Sequence, residues 1–400
     1  MALACAPACA LDSKSLGEDA GESSDTDETE DSGGTGDTDE GPPPAAVEIS
    51  AQLVEGVTPS EIAIAPDGSV YVVGRSGYSY DADIEDGDYA SAWIGKLDDE
   101  GTIEWSIEPG EASLGIVSAA AADDGLVVAT SSRRFDVAPA LARYDAQGEL
   151  LWSIETPLDS GIARVGISLD DTIVVVGTGS GGADSSDART AAYDGATGDL
   201  LWESAVGTGD VRSSGTKALA FTPDGDVIVG GGQGVEYLTG RTRAWIAALD
   251  PSGTTRWVQT YTEGLETDSV QDLHVTSDGT IHAVVIDTEA TSIRRFDAAG
   301  GETWVWDPSL TSEARSIAVA DDGSFVTTDG REVESSAPPV ALRVASRDAN
   351  GSVRWFDERE DCTLGQDVAI LDGGEVMVVG ACPPGQGDVE IAMGLFVYAP

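Results

Sequence analysis

Basic residues are scarce in this chain of 400 residues: 21 Lys and Arg stand against 72 Asp and Glu, a formal net charge of −51. Residues 1–44 hold 12 of the acids and one base, Lys14, so the remainder still carries 60 acids against 20 bases. The acidity therefore belongs to the folded part as well as to the tail. Such a surface repels phosphate backbones and anionic headgroups, which excludes nucleic acid as a partner. Long apolar runs are missing too. None reaches the roughly 20 residues that a bilayer-spanning helix needs, so a membrane would be met only through an anchor. Histidine occurs twice, at His274 and His282. A Ser–His or Cys–His triad has little to work with, and no Gly-x-Ser-x-Gly, His-Glu-x-x-His or phosphate-loop motif is present.

Cysteine is also rare: Cys5, Cys9, Cys362 and Cys382. The first pair lies in an Ala-rich start, MALACAPACA. The next stretch, 11–44, has no aromatic residue and almost no large aliphatic one. It cannot bury enough surface to offset its ordering entropy and is expected to be a disordered acidic tether, extended by like charges and stiffened by Pro42 to Pro44. The start resembles the end of a bacterial lipoprotein signal, in which the Cys after small apolar residues is lipidated. The resemblance implies lipidation at Cys5 or Cys9. It lacks a charged n-region and most of an apolar h-region, and Ala2 rather than Leu stands three residues before Cys5. A Cys followed by an Asp/Glu/Ser/Thr/Gly tether resembles the surface lipoproteins of Gram-negative bacteria such as myxobacteria.

From residue 45 onward a unit of roughly fifty residues recurs. Its first half is an alternating apolar run, a tight turn and a second apolar run: EIAIAPDGSVYVVG (61–74), KALAFTPDGDVIVGG (217–231), DLHVTSDGTIHAVV (272–285), RSIAVADDGSFVTT (315–328) and DVAILDGGEVMVVG (367–380). Residues 117–130 and 164–177 are variants of it. Period-two alternation into Asp-Gly predicts a hairpin. The second half is a strand, an Asp/Gly turn and a strand ending in Trp, as in WIGKLDDEGTIEW (93–105) and WIAALDPSGTTRW (245–257). Trp105, Trp152, Trp202, Trp257, Trp306 and Trp355 recur at one place in the unit and read as packing residues between units.

Four strands per unit at this period predict propeller blades. Seven first halves are present but only six complete second halves; the last, MGLFVYAP (393–400), stops after its third strand. The missing strand is available in AVEISAQLVEG (46–56). The expectation is an all-β, seven-bladed β-propeller at 45–400, with four antiparallel strands per blade. Pairing of its N- and C-terminal strands closes the ring and leaves no open sheet edge there. Cys362 and Cys382 flank the seventh hairpin at its open end, so a disulfide is expected between them.

These units resemble bacterial β-propeller repeats of the SBBP type, matched best by GKLDDEG (95–101) and AALDPSG (247–253). YDGATGDLLW (193–202) resembles the repeat of pyrroloquinoline quinone (PQQ) enzymes. The resemblance covers about 350 residues and speaks to architecture, because such blades host many activities. The PQQ enzymes it resembles have eight blades, a longer chain and adjacent cysteines, which this sequence lacks.

Short, uniform turns occupy one face of such a propeller. Long, dissimilar links at 76–91, 131–140, 179–190, 232–243, 330–340 and 382–390 occupy the other, and binding sites favour such loops. At that face the inner strands bring Glu61, Arg164, Lys217, Asp272, Arg315 and Asp367 to the channel mouth, a mixed-charge ring suited to a polar or anionic small ligand. Solvated strand ends are the simpler account of the same residues. Asp81, Asp83, Glu85 and Asp88 crowd one loop in a manner that suits calcium. Asp86 sits where a calcium loop has Gly, and a chance cluster in so acidic a chain is the simpler account. His274 and His282 flank a turn. A two-residue loop would put them on opposite faces, and a three-residue loop would bring them together as a metal pair.

The sequence thus points to an exported, lipid-anchored propeller, at the outer membrane or cell surface or in the periplasm. It would bind an unknown protein or a small polar ligand, with calcium the single cofactor candidate. The alternative is a quinoprotein-like oxidoreductase or a lyase with its site at the channel mouth. A purely structural surface protein is the third reading.

Overall fold

The computed structural model describes residues 44–77, 91–98, 101–109, 114–132, 139–158, 161–182, 185–206, 214–234, 242–261, 268–286, 291–306, 313–330, 341–362, 364–382 and 392–400. Cys5, Cys9, the acidic tail and the Asp81–Asp88 cluster lie outside them. Among the described residues every regular element is a β-strand.

The chain opens with β1 (Glu48–Glu55). Blade 1 then follows as β2 (Val57–Ile64), β3 (Val70–Ser76), β4 (Ser91–Leu97) and β5 (Ile103–Ile107). Blade 2 is β6 (Leu114–Ala122), β7 (Gly125–Ser132), β8 (Ala140–Asp145) and β9 (Leu150–Glu155), and blade 3 is β10 (Ile162–Ile167), β11 (Thr172–Gly182), β12 (Ser185–Asp194) and β13 (Leu200–Ala205). Blade 4 is β14 (Ser214–Phe221), β15 (Val227–Gly234), β16 (Thr242–Leu249) and β17 (Thr255–Thr260), and blade 5 is β18 (Ser269–Val275), β19 (Ile281–Ile286), β20 (Thr291–Phe296) and β21 (Glu302–Trp306). Blade 6 is β22 (Glu313–Val319), β23 (Phe325–Gly330), β24 (Leu342–Arg347) and β25 (Val353–Arg359). Blade 7 takes β26 (Leu364–Ile370), β27 (Val376–Cys382) and β28 (Ala392–Tyr398) from the end of the chain and β1 from its start. The result is seven four-stranded antiparallel sheets, closed as the strand count predicts by β1 lying against β28 from Glu48↔Tyr398 to Glu55↔Ala392. In blade 3 the expected long link at 179–190 is mostly strand, because β11 and β12 keep pairing as far as Gly182↔Ser185.

The turns explain the recurring Asp and Gly. In six of the seven inner hairpins a three-residue loop is closed by two bonds, for example Thr222 N to Asp226 O and Gly225 N to Thr222 O, whereas blade 2 turns through Asp123 and Asp124 between paired Ala122 and Gly125. The loop glycine adopts positive φ, as Gly225 does at 86°. This is the three-residue hairpin geometry that needs a left-handed residue at its end. Asp171 fills that place in blade 3 at φ 62°, which a short polar side chain tolerates. In the outer hairpins the first Asp also folds its carboxylate back onto the turn, as when Asp250 Oδ1 accepts from the N–H groups of Ser252 and Thr254.

Each outer-strand Trp packs on the turn of the next blade. Trp152, Trp202 and Trp257 donate their indole N–H to Gly195 O, Pro251 O and Ala298 O of the following blade, at 3.0, 2.9 and 3.2 Å. The turn glycine beneath is obligatory. At Gly253, φ is +83° and a Cβ would lie 2.5 Å from the Trp202 ring. Blade 7 has no outer hairpin, and there Trp355 packs on Tyr398 instead, ring centroids 5.5 Å apart. Between blades 7 and 1 no outer-strand Trp docks among the described residues, and Ser50 and Val397 approach Gly101. Aliphatic residues of neighbouring blades fill the rest of each interface, such as Val72 and Leu97 against Met377, Val379 and Leu395 at that last junction.

Cys362 and Cys382 form the expected disulfide, buried beside Leu342 of blade 6. The Cys362 carbonyl accepts from Leu342 N–H, so the crosslink also anchors the blade 6–7 boundary.

Two stability outcomes follow from the closure. Removing residues 1–44 should leave the melting temperature unchanged, whereas removing 1–56 should lower it sharply, because β1 supplies the outer edge of blade 7. Equal melting temperatures in calorimetry would contradict the closure. Cys362→Ser with Cys382→Ser should cost about 3 kcal/mol for a closed loop of roughly twenty residues, read from denaturant midpoints.

Candidate functional site

A bulge recurs in every inner strand. The pairing of the first two strands of each blade skips one residue: Ser60, Val117, Ala163, Lys217, Gln271, Arg315 and Gln366 in blades 1 to 7. A bulge leaves its extra residue unpaired and re-aims the side chains around it. Two successive residues of each inner strand are thereby presented toward the channel. They form two levels.

The level after the bulge holds Glu61, Ser118, Arg164, Ala218, Asp272, Ser316 and Asp367. Its acceptors clasp the next blade. Asp367 Oδ2 accepts from Ile62 N at 2.8 Å, Glu61 Oε2 from Ala119 N at 2.7 Å, Ser118 Oγ from Val165 N at 3.1 Å and Asp272 Oδ2 from Ile317 N at 2.9 Å. Ser316 Oγ donates to Asp367 Oδ1 at 2.6 Å. Four of the six residues expected at the mouth, Glu61, Arg164, Asp272 and Asp367, lie on this level, and three of them bind neighbouring blades together. They are more than solvated strand ends.

The bulge level holds the other two, Lys217 and Arg315, both exposed. A cavity of about 570 Å³ opens here, lined among the described residues by Arg75, Arg164, Lys217 and Arg315, with Ser60, Ser269, Gln271 and Gln366 between them and Val117 and Ile286 as apolar wall. Among the described residues no carboxylate lines it. Lys217 Nζ donates to Ser269 Oγ at 3.2 Å and to Gln271 Oε1 at 3.4 Å. Arg75 had no place in the sequence expectation. It closes β3, beside the entrance of β2, where it is paired with Thr58. A signal for the two levels does exist in the sequence: adjacent polar residues interrupt the alternation at Ser60-Glu61, Gln271-Asp272, Arg315-Ser316 and Gln366-Asp367.

The two levels differ in charge. Arg164 Nε lies 4.0 Å from Glu61 Oε1, and the two side chains keep 30% and 17% of their surface accessible to the channel. Burial alone would lower the Arg164 pKa, but the carboxylates of Glu61, Asp272 and Asp367 outweigh it and hold it above its usual range. Burial raises the Glu61 pKa despite Arg164. Burial, reinforced by Glu61 and Asp272, lifts Asp367 to about 7. One guanidinium thus serves three carboxylates.

The histidines lie at the other end of blade 5. The three-residue loop sets His274 directly opposite His282, so they share a face. His282 is 2% exposed. Burial, with Arg295 and His274 beside it, lowers its pKa to about 4, so the ring is neutral. Among the described residues no group of three or more His, Cys, Asp or Glu side chains is placed to hold a metal ion, and the pair gains no third ligand.

Fold and repeats together define a β-propeller repeat protein with PQQ-like repeats. The family model described as outer membrane protein assembly factor BamB matches residues 90–243, from the end of the first long link to the start of β16. No curated protein matches the chain. Among solved structures, the chain is similar to a streptogramin B lyase at TM-score 0.55 and 13% identity, over 89% of this chain and 100% of that one. It is similar to Sqt1 of Saccharomyces cerevisiae at TM-score 0.54 and 11% identity, over 89% and 100%. The Dos1 propeller superposes at TM-score 0.54 and 12% identity, over 87% and 94%. At such identities the likeness shows the fold.

The Asp367 assignment has a testable sign. An unfolded aspartate titrates near ~3.9, whereas folded Asp367 holds its proton up to about 7. Its contribution to stability is therefore full below the unfolded value and lost as pH rises through the folded one. Asp367→Asn does not titrate. Melting curves should show the variant gaining on the wild type between about pH 5 and about pH 8; a constant gap would refute the assignment.

Proposed function

We propose that this protein is an extracytoplasmic binding propeller that takes a small polar ligand at the long-link mouth of its channel. The observation that carries this reading is the cavity of about 570 Å³, where four cationic side chains converge in a chain of net charge −51. Its size lies within the ~300–1,000 Å³ range of small-molecule sites. Amide and hydroxyl groups between the cations supply directional donors and acceptors, and the clasped inner strands give them a rigid mount.

The location rests on separate support. The Cys362–Cys382 bond fits an oxidising compartment. The family model that matches part of the chain is described as an outer membrane protein assembly factor, which supports a place outside the cytoplasm. Lipidation at Cys5 or Cys9 and an acidic spacer would hold the propeller off a membrane. A binding role is favoured over catalysis because neither histidine is among the described residues that line the cavity.

A thermal-shift screen of sugars, amino acids, nucleosides and small carboxylates on the wild type and on Lys217→Glu/Arg315→Glu tests the reading. At least one class should raise the wild-type melting temperature by several degrees and leave the variant unmoved. Ligands that shift both proteins equally would place binding elsewhere. A quinone absorbance band in the purified protein would replace this reading with an oxidoreductase.

A further inference from the structure

We infer that the ligand of the mouth is a small polyanion, a molecule bearing two or more carboxylate or similar oxyanion groups, and that it binds together with a proton taken up by the carboxylate floor. This rests on the reading of the mouth as a small-ligand site and adds the ligand's charge and its coupling to pH.

The valence follows from where the cations stand. Arg75 comes from blade 1, Arg164 from blade 3, Lys217 from blade 4 and Arg315 from blade 6. They approach the channel from different sides of the ring. A monovalent anion satisfies one or two of them. A molecule with anionic groups on opposite ends reaches more and fits the available 570 Å³. Arginine favours such ligands, because its planar fork matches carboxylate geometry.

The proton follows from what lies beneath. The groups facing Asp367 come from several inner strands. They are Glu61 on β2, Arg164 on β10, Asp272 on β18, Ser316 on β22 and the Ile62 and Val368 N–H groups. The three carboxylates cannot swing away from a ligand, since each is held by a backbone N–H of the next blade. Arg164 is their common counter-ion. An anion above Arg164 shares that guanidinium and adds a second negative layer. The floor answers by binding a proton, and Asp367 is the group already poised to do so. By linkage, a ligand that favours the protonated floor is itself bound more tightly when the floor is protonated.

Isothermal titration calorimetry of the full chain with tartrate, whose two carboxylates stay ionised throughout the range used, tests both parts. Glycerate serves as the monovalent comparison. Tartrate should bind at least about tenfold more tightly than glycerate. Its affinity should fall about tenfold from about pH 6 to about pH 8, and the heat should depend on the buffer in the sense of proton uptake. Arg315→Gln should weaken tartrate. Asp367→Asn should flatten the pH dependence of tartrate affinity, with Glu61→Gln as the second floor variant if the first does not fold. Tartrate binding equal to glycerate, or unchanged in Arg315→Gln, would overturn the polyanion. Equal affinity at both pH values with buffer-independent heat would overturn the proton coupling. A neutral ligand that binds the wild type and fails on Lys217→Glu/Arg315→Glu, with tartrate inert, would overturn this inference and leave the small-ligand reading standing.

Discussion

The N–H one residue past the post-bulge position of four inner strands points at the neighbouring blade, and a buried N–H must find an acceptor. That need organises the centre of the molecule. Four junctions answer it with a side chain of the preceding blade, from Asp367, Glu61, Ser118 or Asp272. The acceptor must be short, polar and aimed sideways. The bulge provides the aim, since without it the same residue would obey strict alternation. Carboxylates are drawn into the channel for this reason. Their mutual repulsion then calls for Arg164, and the site chemistry is a by-product of how the ring holds together.

The periphery uses a second device, Trp on a turn glycine, and the two devices fail at different places. The outer one is missing between blades 7 and 1, where Gly101 meets Ser50 and Val397 in place of an indole. The inner one is intact there, through Asp367 to Ile62 and the adjoining aliphatic contacts. The chain spends its crosslink on the other side of the closing blade, where Cys362 and Cys382 brace blade 7 against blade 6. Blade 7 is the one blade whose four strands are not contiguous in sequence. A bond that pins its first two strands leaves only β1 to dock late.

Much of this was legible in the sequence because it is local. Asp-Gly spacing fixes hairpins, a Trp at constant offset marks the outer strand, and a missing half-unit at one end with a spare strand at the other gives the closure. The cysteine pair was legible because a hairpin brings its two open ends together. The two-level mouth was not read, because a bulge changes the phase of alternation without a dedicated residue. Ser60, Val117, Lys217 and Arg315 have nothing in common chemically. Arg75 was missed because it lies just past the apolar run that defines β3, and its closeness to the channel depends on the β2–β3 register. The histidine pair depended on one extra loop residue, a difference that Asp-Gly alone does not settle. The blade 3 link was misjudged because its small and polar residues at 179–190 resemble loop composition, while backbone pairing with the partner strand keeps them in the sheet.

The acidic surface gives the mouth a character that its own residues would not have alone. Salt screens charges beyond a Debye length of about 8–10 Å, so a distant anion feels little of the net charge, while one close to the wall feels strong repulsion. Only where cations outnumber carboxylates at short range does that repulsion reverse. On the proposed reading, adventitious anions would be discouraged over the acidic surface and admitted at the bulge level, where the post-bulge carboxylates below would limit how deep they go. A monovalent anion gains too little from one guanidinium to offset the approach, whereas several anionic groups held by several blades gain together. The barrier lies in the approach and the gain lies in the seat. Added salt should therefore lower the barrier while weakening the seat, and on the proposed reading an acidic chain with a basic mouth would select by valence more than by charge alone.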